Sequence, residues 1–129
     1  MSNYREVIKR IRKAARAPIG EENCVGTAMY IAGLVEKDGY LGSHTAYERF
    51  LKNLDPIESP EQGCLISWET EEEGKKLIDH VGVVVTANPV RITHRNRFGG
   101  FVIRNEHFES LNERWERPWT TVNFYRTFR

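Results

Sequence analysis

The spacing of the apolar residues changes near Gly63, and this change constrains the fold more than any other feature of the chain. Before Gly63, apolar side chains recur every three or four residues, which is the period of amphipathic helices. After it, the chain carries short segments rich in β-branched residues, separated by turn signals such as Asn88-Pro89. Helices followed by adjoining strands indicate an α+β fold, in which N-terminal helices pack on an antiparallel sheet.

The first half of the chain is expected to form three helices. Residues 1–19 contain the first, an amphipathic helix with apolar side chains on one face and basic side chains on the other. Asn23 is a good N-cap for a second helix, which is predicted to run from Cys24 to about Lys37. Apolar residues surround most of this helix, so we expect it to be central and buried. Ser43 is expected to cap the third helix.

The second half is expected to form five strands and one short helix. The helix is predicted to begin after Asn105, because asparagine favours the N-cap position, as at Asn23. The predicted strands share β-branched or aromatic composition and flanking turn residues; they are Cys64–Trp68, His80–Ala87, Val90–Arg95, Gly100–Arg104 and Thr120–Arg126.

Length and charge limit the classes of protein to consider. The 129 residues suit a single domain over 1–129, and 40% hydrophobic with 29% charged residues is an ordinary globular composition. The 19 basic and 18 acidic residues leave a net charge of +1, so no overall field attracts nucleic acid. We expect no membrane span and no secretory signal, because no apolar run is long enough for either. A cytoplasmic location is therefore expected, with export by a non-classical route as the alternative, and the oligomeric state stays open.

The cysteine content argues against a disulfide scaffold. Cys24 and Cys64 are too few for a disulfide framework, and no Cys-x-x-Cys or His-Glu-x-x-His spacing is present. We therefore expect neither a metal nor an organic cofactor. A zinc site made of Cys24, His80 and His94 would have no closely spaced pair of ligands to support it. Cys64 lies in a predicted strand and is expected to be part of the core.

Cys24 occupies a position that suits a nucleophile. It follows the capping Asn23 at the first turn of a buried helix, where unpaired N–H groups and the helix dipole favour an anion. The dipole alone lowers a thiol pKa by less than about one unit, so a histidine partner is needed to generate a thiolate. The alternative interpretation is a small buried side chain without a chemical role, which is common for free cysteines.

Two histidines fall on neighbouring strands of a predicted hairpin. If residues 87–89 form its turn, His94 lies on the same face as His80 and diagonally adjacent to it, while Asn96 faces His80 directly. Either His94 or Asn96 is able to accept the second ring proton of His80 and so orient the ring. The alternative is that each is a polar residue on the surface of a short strand.

Four motifs, in order along residues 20–126, resemble those of one enzyme family. Residues 23–26, Asn-Cys-Val-Gly, are similar to the Asp-Cys-Ser-Gly helix start of the NlpC-like cysteine peptidases, bacterial relatives of papain. Residues 60–68 resemble the segment that enters the first core strand of that family. Residues 80–85 resemble its His-Val-Gly strand, and residues 90–94 resemble the strand that supplies its third polar residue.

The resemblance implies a papain-like fold of the NlpC type and a cysteine peptidase or amidase. It implies Cys24 as the nucleophile, His80 as base and acid, and His94 as the residue that orients His80. The implied substrate is a peptide or a peptidoglycan fragment, since the family cleaves amide bonds, often in the stem peptides of bacterial cell walls. The implied oxyanion site includes the backbone N–H of Cys24.

Two other classes of function are compatible with the sequence. The first is an NlpC-like domain that has lost catalysis and serves as a binding module. The second is a nucleic-acid or membrane-surface binding protein that uses the basic face of residues 5–16. A solvated helix face is the simpler interpretation of those charges.

Overall fold

In residues 3–96 and 100–127, which a computed structural model describes, the chain forms a six-stranded antiparallel sheet with helices on both faces. The strand order is β1-β6-β2-β3-β4-β5. The helices are α1 (Tyr4–Arg16), α2 (Cys24–Ile31), α3 (Ser43–Arg49) and α4 (Phe108–Trp115), and the strands are β1 (Asp55–Ile57), β2 (Leu65–Glu72), β3 (Lys75–Ala87), β4 (Val90–Arg95), β5 (Val102–His107) and β6 (Thr121–Arg126). These elements confirm the α+β class. Residues 1 and 2 of the predicted N-terminal helix region lie outside the described residues.

Both faces of the sheet are covered because its central strand is apolar on both. Alternate residues of β3 point to opposite faces. One apolar cluster, which packs α1, α2 and α3 on the sheet, includes Val81, Val83 and Val85. The second cluster joins Val84 to Leu111 of α4. By the same alternation, His80 points to the α4 face. No helix in the described part of the chain is long and apolar enough to cross a membrane.

The basic face of α1 is narrower than the sequence predicts. Asn3 caps the start of the helix, because its side chain accepts a hydrogen bond from the backbone N–H of Glu6 at 3.0 Å. Arg10, expected among the exposed basic residues, instead turns inward. It donates to the carbonyl oxygens of Tyr30 and Val35 at 2.6 and 2.8 Å, and so ties α1 to the end of α2.

The start of α2 agrees with the prediction, whereas its end does not. The Asn23 side chain accepts the Gly26 N–H at 2.9 Å, as an N-cap does. The helix ends at Ile31 rather than near Lys37. Gly33 has a φ of 83°, the left-handed conformation that commonly closes a helix. The predicted length is wrong because this glycine lies inside an otherwise apolar stretch.

Several strands differ from the prediction. The β2–β3 hairpin extends to a tight turn at Glu73 and Gly74, whose φ values are 52° and 78°. His80 therefore lies inside β3 rather than at its start. The short strand β1 was not expected, because it contains Pro56; it lies at the edge of the sheet, where proline is tolerated.

The last helix begins later than predicted. Asn105, expected to cap it, belongs to β5 and has a φ of 58°. The helix starts at Phe108. The pairing of β4 with β5 is irregular between Ile92 and His94, which accommodates the positive φ of Asn105. Glu106 therefore lies in the sheet opposite Ile92 rather than in a helix.

Substitution of Gly26 by alanine is expected to destabilise the fold, although alanine normally favours a helix over glycine by about 1 kcal/mol. A Cβ at this position would lie 1.7 Å from the carbonyl oxygen of Gly39, so the loop over the start of α2 would have to move. We expect a loss of about 2 kcal/mol or more in the free energy of unfolding, measured by urea denaturation.

Gly39→Ala is the matched control, because a Cβ there meets no atom within 4 Å. It should change the free energy of unfolding by no more than about 0.5 kcal/mol. Equal stability of the two variants would show that the loop does not pack on α2 as described.

Candidate active site

The register of the β3–β4 hairpin brings two histidines together. Val83 pairs with Thr93, and continuing this register places His94 level with Gly82 and diagonal to His80. A Cβ on Gly82 would lie 3.0 Å from the Cβ of His94, so the missing side chain makes room for the second ring. His94 therefore lies on the same face as His80, as the alternation of the two strands predicts.

A chain of polar contacts runs from His80 through His94 to a carboxylate. His80 Nε2 and His94 Nδ1 lie 2.9 Å apart, within hydrogen-bond distance, and the rings meet edge to face with centroids 4.9 Å apart. His94 Nε2 lies 2.7 Å from Oε1 of Glu106. Asn96 is not part of this chain; its backbone N–H donates to the carbonyl oxygen of Phe101 at 2.9 Å. Of the two residues proposed to orient His80, His94 is the one in contact with it.

Two tryptophan side chains pack on the ring of His80. Trp115 of α4 stacks on His80, with ring centroids 4.4 Å apart and planes 3° from parallel. Trp68 of β2 lies on another side, with its centroid 5.9 Å from that of His80, and its indole N–H donates to Asn112 at 2.8 Å. His80 and His94 are 0% and 1% exposed, so both rings are held in an apolar surrounding with little freedom to rotate.

The surroundings keep both histidines neutral and the carboxyl ionised. Burial lowers the pKa of His80 to about 3, and burial also lowers the pKa of His94 although Glu106 opposes that shift. The hydrogen bonds of Arg114 hold the pKa of Glu106 at about 2. Near neutral pH, the chain of contacts therefore consists of two uncharged rings and one carboxylate.

Cys24 is the first residue of α2, and its side chain is half-buried. Burial raises the pKa of its thiol to about 11. This effect is larger than that of the backbone N–H groups of Val81, Val25 and Cys24 itself, which lower the pKa. The helix start was expected to favour the thiolate. In the structure the protonated thiol is favoured instead, because burying the thiolate charge costs more free energy than the N–H groups contribute by stabilising it.

Cys24 and His80 approach the same point of β3 from opposite faces of the sheet. Cys24 packs in the same helix-face cluster as Val81, the residue after His80, whereas the His80 ring packs on α4. The described residues include no hydrogen bond between thiol and ring. His80 Nδ1 is buried and has no partner among them, and it is the one ring nitrogen of the two histidines left free.

Contacts from β4 fix the start of α2 beside this point. Arg95, which is 3% exposed, donates to the hydroxyl of Thr27 in α2 at 2.7 Å and to Asp38 at 3.0 Å.

Several functional contacts were not predicted from the sequence. Glu106 and its partner Arg114 were missed, because Asn105 was expected to begin a helix there. The remaining histidines do not join the group: His44 lies 3.2 Å from a backbone carbonyl oxygen, and His107 is exposed. Cys64 is 1% exposed, in the core as predicted. Among the residues described, no three His, Cys, Asp or Glu side chains are grouped closely enough to hold a metal ion.

Comparison with models of known protein families found no match for this chain, and comparison with curated proteins found none either.

The buried histidines should make the protein sensitive to acid. The pKa of His80 in the folded state lies below its unfolded value of 6.5, so below pH 6.5 the unfolded chain binds a proton that the folded protein does not. The free energy of unfolding is therefore unaffected above pH 6.5 and decreases as the pH falls toward 3. Glu106 acts in the same direction below pH 4.5. We expect the free energy of unfolding, from urea melts, to fall by about 3 kcal/mol or more between pH 7 and pH 4.

His80→Phe should flatten this dependence, because phenylalanine does not titrate and retains an aromatic face for Trp115. His107→Gln, at an exposed histidine, should leave the slope unchanged. A wild-type stability that is flat over this range would mean that the rings are not buried as described.

Proposed function

We propose that this protein is a cysteine peptidase or amidase with a papain-like fold of the NlpC type. Cys24 is the nucleophile, His80 is the base and acid, and His94 orients His80. One observation carries the proposal: His80 has one ring nitrogen engaged by His94, while the other, Nδ1, is buried without a partner in the described residues. An oriented base with a free ring nitrogen activates a thiol nucleophile when the two are in contact. Because Cys24 and His80 lie against opposite faces of β3 at rest, catalysis by this pair requires the two groups to come together.

The reaction begins from an uncharged pair. Burial raises the pKa of the thiol and lowers the pKa of the imidazole, so both groups are uncharged at rest. In the proposed reaction the sulfur attacks the substrate carbonyl as its proton passes to His80. The N–H groups at the start of α2 receive the developing oxyanion. His80 then protonates the departing amine, and water hydrolyses the thioester with His80 as base.

The substrate class follows from the resemblance and from the shape of the surface. Peptides and peptidoglycan fragments are the amide substrates of the NlpC-like enzymes. An open depression of about 250 Å³ is lined by Asp79, Trp115, Arg117 and Trp119, of which Trp115 stacks on the buried ring of His80. Trp119 is 66% exposed and offers a flat apolar wall for part of a peptide.

Cleavage assays test the proposal directly. Short peptides and peptidoglycan fragments are incubated with the protein, and the products are identified by mass spectrometry. We expect hydrolysis by the wild type and none by Cys24→Ala, because the nucleophile is removed. Cys64→Ala is the matched control and should retain cleavage, since Cys64 lies in the core. Cleavage that survives in Cys24→Ala would overturn the assignment.

The reactivity of Cys24 tests the role of His80 without a known substrate. Iodoacetamide should alkylate Cys24 between pH 7 and pH 8 faster than the raised thiol pKa allows, because His80 removes the proton during attack. In His80→Asn we expect the rate to fall by about 10²-fold, within the range for loss of a general base. His107→Asn controls for loss of an unrelated histidine. Equal rates in wild type and His80→Asn would refute the pairing.

A catalytically inactive binding module is the second candidate, and two observations favour it. The thiol is protonated at rest, and no hydrogen bond joins it to His80 in the described residues. A module of this kind would show alkylation of Cys24 that rises only at alkaline pH and does not depend on His80.

A polyanion-binding role for α1 has weaker support. Its exposed basic side chains are Arg5, Lys9, Arg12, Lys13 and Arg16. Salt-dependent binding of nucleic acid or anionic vesicles, abolished when Lys9, Arg12 and Lys13 are neutralised, would favour this role over hydrolysis.

A further inference from the structure

We infer that Glu106, held by Arg114 and Ser110, is a positioning residue that determines which ring nitrogens of His94 and His80 carry protons. Its consequence for catalysis rests on the proposed function, but the proton positions themselves do not. Glu106 touches neither Cys24 nor the site of attack, and it acts only through the two rings.

Three side chains fix the carboxylate of Glu106. Arg114 donates to both of its oxygens, at 2.6 Å to Oε2 and 2.9 Å to Oε1, and the Ser110 hydroxyl donates to Oε2 at 2.8 Å. Ser110 and Arg114 lie one turn apart on α4, so they face the end of β5 together. The remaining contact of Oε1 is His94 Nε2, at 2.7 Å. The carboxylate is thus locked in a single orientation.

The order of donors and acceptors follows from this orientation. An ionised carboxylate only accepts hydrogen bonds, so His94 Nε2 must carry a proton and donate it. In a neutral His94 the other nitrogen, Nδ1, is then an acceptor. His80 Nε2, 2.9 Å away, must therefore be the donor of the second hydrogen bond. A neutral His80 is left with a lone pair on Nδ1.

This lone pair lies on the nitrogen that a base requires. Nδ1 is the ring atom of His80 without a partner in the described part of the chain. The opposite tautomer would place a proton there, and His80 would then be unable to accept the thiol proton. The fixed carboxylate of Glu106 thereby favours, through the ring of His94, the tautomer of His80 that is able to accept the thiol proton.

Glu106→Gln should reverse the order of the protons. Glutamine has one oxygen and one NH₂ group, and Arg114 only donates, so the position of Oε2, which accepts from both Arg114 and Ser110, requires the oxygen. The oxygen is therefore expected to face Arg114 while the NH₂ group donates to His94 Nε2. His94 then carries its proton on Nδ1, and His80 carries its proton on its own Nδ1.

Nitrogen-15 NMR of protein labelled at its histidine rings measures these positions, because a protonated and an unprotonated ring nitrogen differ widely in chemical shift. At pH 7 we expect the wild type to carry protons on Nε2 of both His80 and His94. In Glu106→Gln both protons should move to Nδ1, and the alkylation rate of Cys24 should fall by about 10²-fold. Glu106→Asp, which keeps a carboxylate, should restore the wild-type proton positions.

Glu61→Gln is the matched control. Glu61 also accepts two hydrogen bonds from one arginine, Arg126, at 2.7 and 3.1 Å, but it contacts no histidine. It should leave the ring shifts and the alkylation rate unchanged.

A proton on His80 Nδ1 in the wild type would overturn the inference, and this measurement requires no variant to fold. Unchanged ring shifts in Glu106→Gln would also overturn it. The expected proton positions, combined with an alkylation rate that is independent of His80, would support the role of Glu106 in placing protons and reject the proposed hydrolase.

Discussion

The contact between the rings of His80 and His94 is the interaction on which the candidate site depends. Two imidazoles buried in an apolar layer are costly to desolvate unless their nitrogens find partners. Here each ring engages the other at 2.9 Å, and Glu106 satisfies the far end of the pair. Gly82 makes the contact sterically available, because a side chain there would collide with Ile92 and His94. The sheet geometry, the small residue and the carboxylate therefore form one unit.

The same layer leaves one polar atom unsatisfied. His80 Nδ1 is buried without a partner in the described residues, and such an atom costs a fold about 1–3 kcal/mol. Within this chain of polar contacts, the nitrogen without a partner is the atom at which an additional hydrogen-bonding group would stabilise the protein most. Cys24 packs against Val81, the residue that follows His80, on the other face of the sheet. Burial shifts the pKa values of His80 and Cys24 toward their uncharged forms, and it raises the pKa of the core residue Cys64 in the same way as that of Cys24.

Much of this geometry was predictable from the sequence, for identifiable reasons. The diagonal placement of His94 follows from strand alternation and the Asn88-Pro89 turn. The turn itself is tighter than predicted, since Ala87 pairs with Val90, but an irregularity at Val85 restores the expected pairing further along the hairpin. The start of α2 at Cys24 was predictable because Asn23 is a strong local signal. Its end was not, because Gly33 acts through backbone conformation rather than hydrophobic pattern.

The contacts that tune the site depend on tertiary structure, and so they were missed. Glu106 becomes visible only when Asn105 is known to lie in a strand with positive φ instead of capping a helix. The stacking of Trp115 on His80 depends on how α4 folds back over the sheet. The direction of the thiol pKa shift was also unpredictable, because the helix start favours the thiolate while burial opposes it more strongly.

The central claim is that the sulfur of Cys24 and Nδ1 of His80 come within reach of one reacting atom. A bifunctional alkylating reagent, 1,3-dibromoacetone, measures this directly, because its two reactive carbons span only a short gap. The account predicts that one reagent molecule links Cys24 to His80, seen by mass spectrometry as a single cross-linked peptide that disappears in His80→Phe. Alkylation of Cys24 with no link to His80 would contradict it, since the two groups would then remain on separate faces of the sheet.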